Sequence, residues 1–170
     1  IVDIEALTAI ATSKGIVSVV DNTFASPYLQ QPLTLGADMV LHSATKYLGG
    51  HSDVVMGAVV TRNEDLAKRL YYLQNAAGAI PGPQDCFLVL RGIKTLHLRV
   101  QRACENAREI VKVLQNNDLV ANIYYPGLES HPRHEIAKKQ MRDFGGMISF
   151  DLKEDTLEAA TQVMKHTHYF

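Results

Sequence analysis

The chain has 170 residues, of which 46% are hydrophobic and 21% are charged, the composition of an ordinary globular domain. This composition excludes disordered and collagen-like chains. Lys and Arg number 17 against 18 Asp and Glu, so the net charge is −1 and there is no basic surface for nucleic acid or an anionic membrane. We therefore expect a small neutral or zwitterionic partner, with no nucleic acid and no membrane.

The cysteines and histidines predict no metal site. Cys86 and Cys104 provide neither a disulfide framework nor metal-ligand spacing, and we expect structural thiols in a reducing, cytoplasmic setting. His131 and His134 form an H-x-x-H pair around Pro132 in a polar turn, which indicates an exposed loop rather than a zinc site.

Neither a membrane span nor a signal peptide is visible in the sequence. No apolar run approaches the roughly 20 residues that cross a bilayer. The chain begins at Ile1 rather than at a methionine and stops at Phe170 in the middle of a pattern. We therefore expect it to be an internal part of a longer chain.

The chain opens with a predicted helix and a predicted strand. Apolar residues recur at helical spacing over residues 3–14, and Gly15 supplies a stop. The run IVSVV at residues 16–20 is short, apolar and β-branched, which is typical of a strand buried on both faces in a parallel sheet. This strand ends at Asp21.

Two further strands are predicted, at residues 37–43 and 56–61. A helix, a strand, a crossover and a strand in this order predict an α/β sheet, in which ligands bind outside the carboxyl ends of parallel strands. Asp21 and the segment from Ser43 to Lys46 are therefore expected at one edge of the sheet.

The second half of the chain changes from a helical pattern to a mixed pattern near residue 117. Residues 84–115 predict a long helical region that bends at Gly92, with one apolar stripe and one solvated face. The charged residues predicted on that solvated face are Arg99, Arg102, Glu105, Arg108, Glu109 and Lys112. A strand, a short helix, a strand and a helix are then predicted at residues 119–128, 135–141, 145–153 and 155–166.

Two chemical roles are open for Lys46. Residues 43–46 match S-x-x-K, the motif in which a serine nucleophile and a lysine lie on one face of a helix. The pair Gly49 and Gly50 opposes continuation of such a helix, and the companion motifs of these serine acyl-transfer enzymes are absent.

In the second role, the amine of Lys46 forms a Schiff base with pyridoxal 5'-phosphate. The cofactor needs a carboxylate that keeps its pyridine nitrogen protonated, and Asp21 is placed for this at the neighbouring strand end. Its phosphate needs donors, which the hydroxyls of Ser43 and Thr45 can supply. Each residue taken singly also fits a surface charge, a turn or a local hydrogen bond, so the spacing alone leaves the cofactor role and these purely structural roles both open.

Four segments resemble the Cys/Met-metabolism enzymes that use pyridoxal phosphate. In chain order they are DNTFASP at 21–27, SATKYLGGHSDVVMG at 43–57, RGIKTL at 91–96 and YPGLESHP at 125–132. This family includes cystathionine γ-synthase, cystathionine γ-lyase, methionine γ-lyase and O-acetylhomoserine sulfhydrylase. The resemblance covers essentially the whole chain, and the lysine motif with its GHSD extension is the most specific part.

The resemblance implies the fold type I, aminotransferase-like architecture. This is an α/β fold with a mainly parallel sheet, helices on both faces and the start of a smaller α+β C-terminal domain. Residues 1–82 would belong to the large cofactor-binding domain, 83–117 to a long helical connection and 118–170 to the small domain. The resemblance also implies a homotetramer built from active-site dimers.

Residue by residue, Lys46 matches the Schiff-base lysine of the family and is its catalytic residue. Asp21 matches the partner of the pyridine nitrogen, and Ser43 and Thr45 match the phosphate contacts. The implied reaction is γ-elimination or γ-replacement on cystathionine, an O-acyl-homoserine, cysteine or a related amino acid, and the chain looks most similar to cystathionine γ-synthases and γ-lyases. Cystathionine β-lyase, methionine γ-lyase, O-acetylhomoserine sulfhydrylase and a non-catalytic module stay open as alternatives.

Overall fold

The computed structural model describes residues 1–168, in which helices and strands are mixed as in an α/β protein. In chain order the elements are α1 Ile4–Ser13, β1 Val19–Asp21, α2 Ser26–Leu29, a 3-10 turn Pro32–Leu35, β2 Met39–Ser43, β3 Gly57–Thr61, α3 Glu64–Ala77, α4 Pro83–Ile93, α5 Leu96–Gln115, β4 Val120–Tyr124, α6 His134–Gln140, β5 Ser149–Leu152 and α7 Leu157–Lys165. Within this described part of the chain, no helix combines the length and the apolar character needed to cross a membrane.

Strands β1, β2 and β3 form one sheet in that order. β1 runs parallel to β2, with Asp21 opposite Leu41, and β3 runs antiparallel to β2, with Ser43 opposite Gly57. The third strand reverses direction because residues 44–56 contain no crossover helix, which a parallel connection requires. The carboxyl ends of β1 and β2 therefore lie at one edge, which confirms the placement predicted for Asp21.

The first predicted strand is shorter and more exposed than its sequence indicates. The strand predicted at residues 16–20 begins only at Val19, and Ile16, Val17 and Val19 are 61%, 48% and 53% exposed. The prediction that this strand is buried on both faces is therefore wrong. β1 lies at the edge of the sheet, and a cavity of about 580 Å³ between α1 and β1 leaves its apolar side chains uncovered.

The predicted long helix is two helices, α4 and α5, separated by Lys94 and Thr95. The chain therefore bends two residues after Gly92, which was the predicted position. The carbonyl of Gly92 accepts hydrogen bonds from the amide of Thr95 at 3.2 Å and from the guanidinium of Arg99 at 2.8 Å. These bonds satisfy the Gly92 carbonyl, which lies in the last turn of α4.

Helix α3 lies where the sequence predicted no element, in residues 62–82. Its first turn is capped by Asn63, whose side chain accepts from the amides of Asp65 at 2.9 Å and Leu66 at 3.0 Å. Gly78 ends the helix with a φ of 70°, a left-handed conformation that suits glycine. No residue of α3 is buried, so no apolar stripe marks this helix in the sequence. Its capping residues, Asn63 and Gly78, are the sequence signal that marks its two ends.

Two clusters of buried side chains meet on α5. The first consists of Leu29, Ala44, Leu48, Val54, Val89, Leu96, Val100 and Cys104. The second consists of Ala107, Val111 and Tyr125. The second cluster joins α5 to the antiparallel pair β4 and β5, whose positions were predicted from sequence. The division into residues 1–82, 83–117 and 118–170 stays a prediction.

Candidate active site

Asp21 ends β1 as an exposed, ionised carboxylate. It accepts a hydrogen bond from the backbone amide of Thr23 at 3.0 Å. Hydrogen bonds from the hydroxyl and the amide of Thr23, with a smaller effect of nearby His42, hold the pKa of Asp21 below its ordinary value against a small opposing effect of burial. A carboxylate that stays ionised at neutral pH can pair with a protonated nitrogen.

The turn that follows β1 is fixed by Asn22, which is only 2% exposed. Its side-chain nitrogen donates to the carbonyls of Ser26 at 3.1 Å and Gln30 at 2.9 Å, and its oxygen accepts from the Gln30 side chain at 2.9 Å. In the same turn, the hydroxyl of Thr23 accepts a hydrogen bond from the amide of Ser43 at 2.8 Å. The ends of β1 and β2 are thus tied together at the edge of the sheet.

Lys46 lies in a tight turn that follows β2 directly. The amide of Lys46 donates to the carbonyl of Ser43 at 3.1 Å. The amides of Gly49 and Gly50 donate to the carbonyls of Ala44 and Lys46, each at 2.7 Å. These short backbone bonds define the path of the chain around the lysine.

Two apolar residues anchor this turn in the core on either side of the lysine. Ala44 is fully buried and Leu48 is 8% exposed, and both belong to the first core cluster. Lys46 between them is exposed, and within residues 1–168 no hydrogen bond or ion pair engages its Nζ. The turn therefore exposes an unpartnered amine, while its neighbouring residues Ala44 and Leu48 are packed in the core.

Lys46 and Asp21 lie on adjoining cavities. Thr45 and Lys46 line a cavity of about 950 Å³, and Asp21 lines the cavity of about 580 Å³ beside β1. Phe24 and Met147 line both cavities. The structure therefore brings the predicted lysine and carboxylate to the same region, on two cavities with a shared wall.

The two predicted phosphate contacts differ in their surroundings. The hydroxyl of Ser43 is half-buried and engages no partner among residues 1–168. The hydroxyl of Thr45 accepts a hydrogen bond from the amide of Met56 at 3.0 Å and lies 3.4 Å from the Met56 carbonyl oxygen, so it joins the end of β2 to the start of β3. Ser43 is free to bind a ligand, and Thr45 in addition holds the sheet edge together.

The S-x-x-K interpretation loses its structural basis. Residues 44–49 form turns instead of the helix that would align the serine and the lysine. No hydrogen bond joins the hydroxyl of Ser43 to the amine of Lys46, both of which the structure describes. A serine activated by Lys46 is therefore not supported.

Arg99 belongs to this site, although the helical pattern predicts it on a solvated face. That prediction is wrong for Arg99, which is half-buried and donates to the carbonyls of Tyr47 and Gly92, each at 2.8 Å. The break between α4 and α5 brings it against the Lys46 turn. Arg102, three residues further on, fits the pattern, since it is exposed and pairs with Glu105 on the surface. No feature of the sequence separates the two arginines.

Comparisons with known proteins identify the family of the chain. Residues 1–170 match the family model described as Cys/Met metabolism PLP-dependent enzyme. A cystathionine beta-lyase of Lactococcus lactis subsp. cremoris is 55% identical over 170 residues, which are 100% of this chain and 44% of that protein. A probable cystathionine gamma-synthase of Herpetosiphon aurantiacus is 57% identical over 162 residues, which are 95% of this chain and 51% of that protein.

A solved structure extends the likeness to the fold. Cystathionine gamma-lyase from Lactobacillus plantarum, complexed with L-serine, superposes with a TM-score of 0.89 at 51% identity, covering 91% of this chain and 40% of that one. The chain thus spans about half or less of the length of each of these relatives. The match of the family model over the whole chain shows that it belongs to the Cys/Met-metabolism family of pyridoxal-phosphate-dependent enzymes.

Proposed function

We propose that the protein is a pyridoxal-phosphate-dependent enzyme of trans-sulfuration, in which Lys46 carries the cofactor. The observation that supports this most strongly is the free amine of Lys46, which lies on a cavity at the carboxyl edge of the sheet. The ionised carboxylate of Asp21 ends the adjacent parallel strand. An amine and a low-pKa carboxylate on adjoining cavities are the donor set that this cofactor needs.

The residues present fit the cofactor. Lys46 would hold its aldehyde carbon, Asp21 its pyridine nitrogen and Ser43 its phosphate, while a phosphate contact from Thr45 stays a prediction. When bound, pyridoxal phosphate supplies a ring that accepts electrons from a carbanion at the substrate α-carbon.

The chain's own residues would orient the reactants and move protons. Asp21 would keep a proton on the ring nitrogen of the cofactor, because its lowered pKa leaves its carboxylate ionised at neutral pH. Lys46 would take and return protons at the substrate α and β carbons as general base and general acid. Ala44 and Leu48 anchor the lysine turn in the core, which would hold the amine of Lys46 at a fixed position relative to the substrate.

Two candidate reactions differ in which carbon–sulfur or carbon–oxygen bond of the substrate is cleaved. We propose elimination or replacement at the γ-carbon of cystathionine or an O-acyl-homoserine, as in the γ-synthases and γ-lyases that the sequence motifs resemble. β-Cleavage is the second candidate, because a relative named cystathionine beta-lyase is 55% identical over the whole chain. With uptake of one water, γ-cleavage of cystathionine yields cysteine, 2-oxobutyrate and ammonia, and β-cleavage yields homocysteine, pyruvate and ammonia.

Cellular setting and assembly are part of the proposal. Cys86 and Cys104 are both free thiols, which suits the cytoplasm. We propose a homotetramer of active-site dimers, and the exposure of Tyr71, Tyr72 and Leu73 along α3 supplies apolar surface that an interface or a further part of the chain can cover. Sedimentation of the native protein tests the tetramer.

The experiment is a product assay on the native protein with cystathionine and pyridoxal phosphate. We expect cysteine and 2-oxobutyrate, and we expect Lys46→Ala to abolish their formation. Lys94→Ala is the matched control, because Lys94 is an exposed lysine outside the cavities and its loss should leave the rate unchanged. Homocysteine and pyruvate would replace the γ-proposal by the β-candidate, and an active Lys46→Ala variant would refute the catalytic role of the lysine.

A further inference from the structure

Arg99 joins three separate parts of the chain through its guanidinium. Its two terminal nitrogens donate to the carbonyls of Tyr47 and Gly92, each at 2.8 Å. Its Nε donates to the hydroxyl of Thr95 at 3.1 Å. Tyr47 follows Lys46 directly, whereas Gly92 lies in the last turn of α4 and Thr95 directly precedes α5, so one side chain fastens the lysine turn to the junction of two helices.

Two glycines make room for this contact. A Cβ at Gly50, whose φ is 76°, would lie 2.1 Å from a terminal nitrogen of Arg99. A Cβ at Gly92 would lie 2.2 Å from the carbonyl oxygen of Gly49. The turn can approach the helix junction closely because Gly92 lacks a side chain, and the guanidinium of Arg99 lies over Gly50 because that residue lacks one as well.

The acceptors of Arg99 are backbone carbonyls and a hydroxyl instead of a carboxylate. Among residues 1–168 no ion pair involves Arg99, and the residue lines the same cavity as Lys46. Its planar fork holds several acceptors at fixed angles, which a lysine ammonium cannot do. Loss of the Arg99 side chain would therefore free the backbone next to Lys46, whereas loss of a surface arginine would only break an ion pair.

We propose that Arg99 is a positioning residue that fixes the backbone of the Lys46 turn, so that the amine is held in place for its reaction. The effect of Arg99 on catalysis rests on the proposed function, whereas its effect on the backbone of the turn does not depend on that function. Displacement of a reacting group by about 1 Å can lower a rate about 100-fold. Arg99 thus acts through the turn and touches no reacting atom.

The test compares Arg99→Met with Arg102→Met in the complete native protein. The first readout is amide hydrogen exchange at Gly49 and Gly50, whose amides close the turn. We expect exchange at both amides to rise at least tenfold in Arg99→Met, with exchange in the middle of α5 unchanged. Arg102→Met is matched because it removes an exposed arginine from the same helix, and its exchange should equal that of the wild type.

The second readout is steady-state kinetics with pyridoxal phosphate bound. We expect kcat to fall roughly 100-fold in Arg99→Met with KM changed less than threefold, because a misplaced amine slows the reaction more than it weakens binding. If Arg99→Met does not fold, Arg99→Lys carries the test, and faster exchange at Gly49 and Gly50 with a reduced kcat is expected there as well.

Unchanged exchange at Gly49 and Gly50 in a folded Arg99 variant would overturn the proposal. A uniform rise of exchange over the whole chain would also overturn it, because it would show a general stabilising role alone. If wild-type protein carries no cofactor on Lys46, the proposed function fails, and the exchange measurement still decides the role of Arg99 in the turn.

Discussion

Gly92→Ala tests how closely α4 packs against the turn that carries Lys46. Gly92 is buried, and an added Cβ would lie 2.2 Å from the carbonyl oxygen of Gly49 and 2.9 Å from that of Leu48. A carbon and a carbonyl oxygen normally stay about 3.3 Å apart or more. The helix and the turn must therefore separate by about 1 Å to admit one methyl group.

The expected change in stability combines two opposing effects. Overpacking of a closely packed site costs about 1–3 kcal/mol. Alanine in place of glycine inside a helix stabilises it by about 1 kcal/mol. Because the obstructing atoms are backbone carbonyls that cannot rotate away, we expect the overpacking to win and the free energy of unfolding to fall by about 1–2 kcal/mol.

Urea denaturation of the native protein and its variants measures this change. Gly57→Ala is the matched control, because the nearest atom to its added Cβ is the carbonyl oxygen of His42 at 4.0 Å. Arg91→Ala changes an exposed residue of the same helix, and both controls should stay within about 0.5 kcal/mol of the wild type. A Gly92→Ala protein as stable as the wild type, or more stable, would refute the close packing of α4 on the Lys46 turn.

Two further substitutions test the supports of the site. Asn22→Ala removes the donor to the buried carbonyl of Ser26 and the half-buried carbonyl of Gln30, and we expect urea denaturation to show a loss of about 1–3 kcal/mol; an unchanged midpoint would contradict the role of Asn22 in the turn. Tyr125→Phe removes the hydrogen bond from the buried hydroxyl to the carbonyl of Gly145, a loss of about 1 kcal/mol. Burial raises the pKa of Tyr125 to about 12, so its contribution to stability is complete below a pH of about 10 and is lost as the pH rises towards 12. Melting temperatures between these pH values should fall more steeply in the wild type than in Tyr125→Phe, and parallel curves would contradict this assignment.

Much of the site was predictable because its residues lie close together in the sequence. A short apolar strand that ends in Asp21 and a second that ends in Ser43 predict a shared edge, and the register of β1 with β2 confirms it. The ends of a helix are also marked locally, by where its apolar pattern begins and stops. The sequence therefore predicted the boundaries of α1 and α6 to within one residue or two.

Features that depend on contacts between distant residues were not predictable. Arg99 and Arg102 have the same helical surroundings in the sequence, and only the fold brings Arg99 to a carbonyl 52 residues away. The exposure of the apolar residues before β1 has the same origin, because burial depends on what packs against a strand. The antiparallel direction of β3 likewise follows from a connection without a helix, which the pattern of apolar residues does not encode.

The most direct measurement is borohydride reduction of the native protein with pyridoxal phosphate, followed by peptide mass spectrometry. A single pyridoxyl group on the peptide that contains Lys46, absent in Lys46→Ala, is the result we predict. A pyridoxyl group on another lysine, or none on a protein that is folded and saturated with the cofactor, would contradict the role of Lys46 as the residue that carries it.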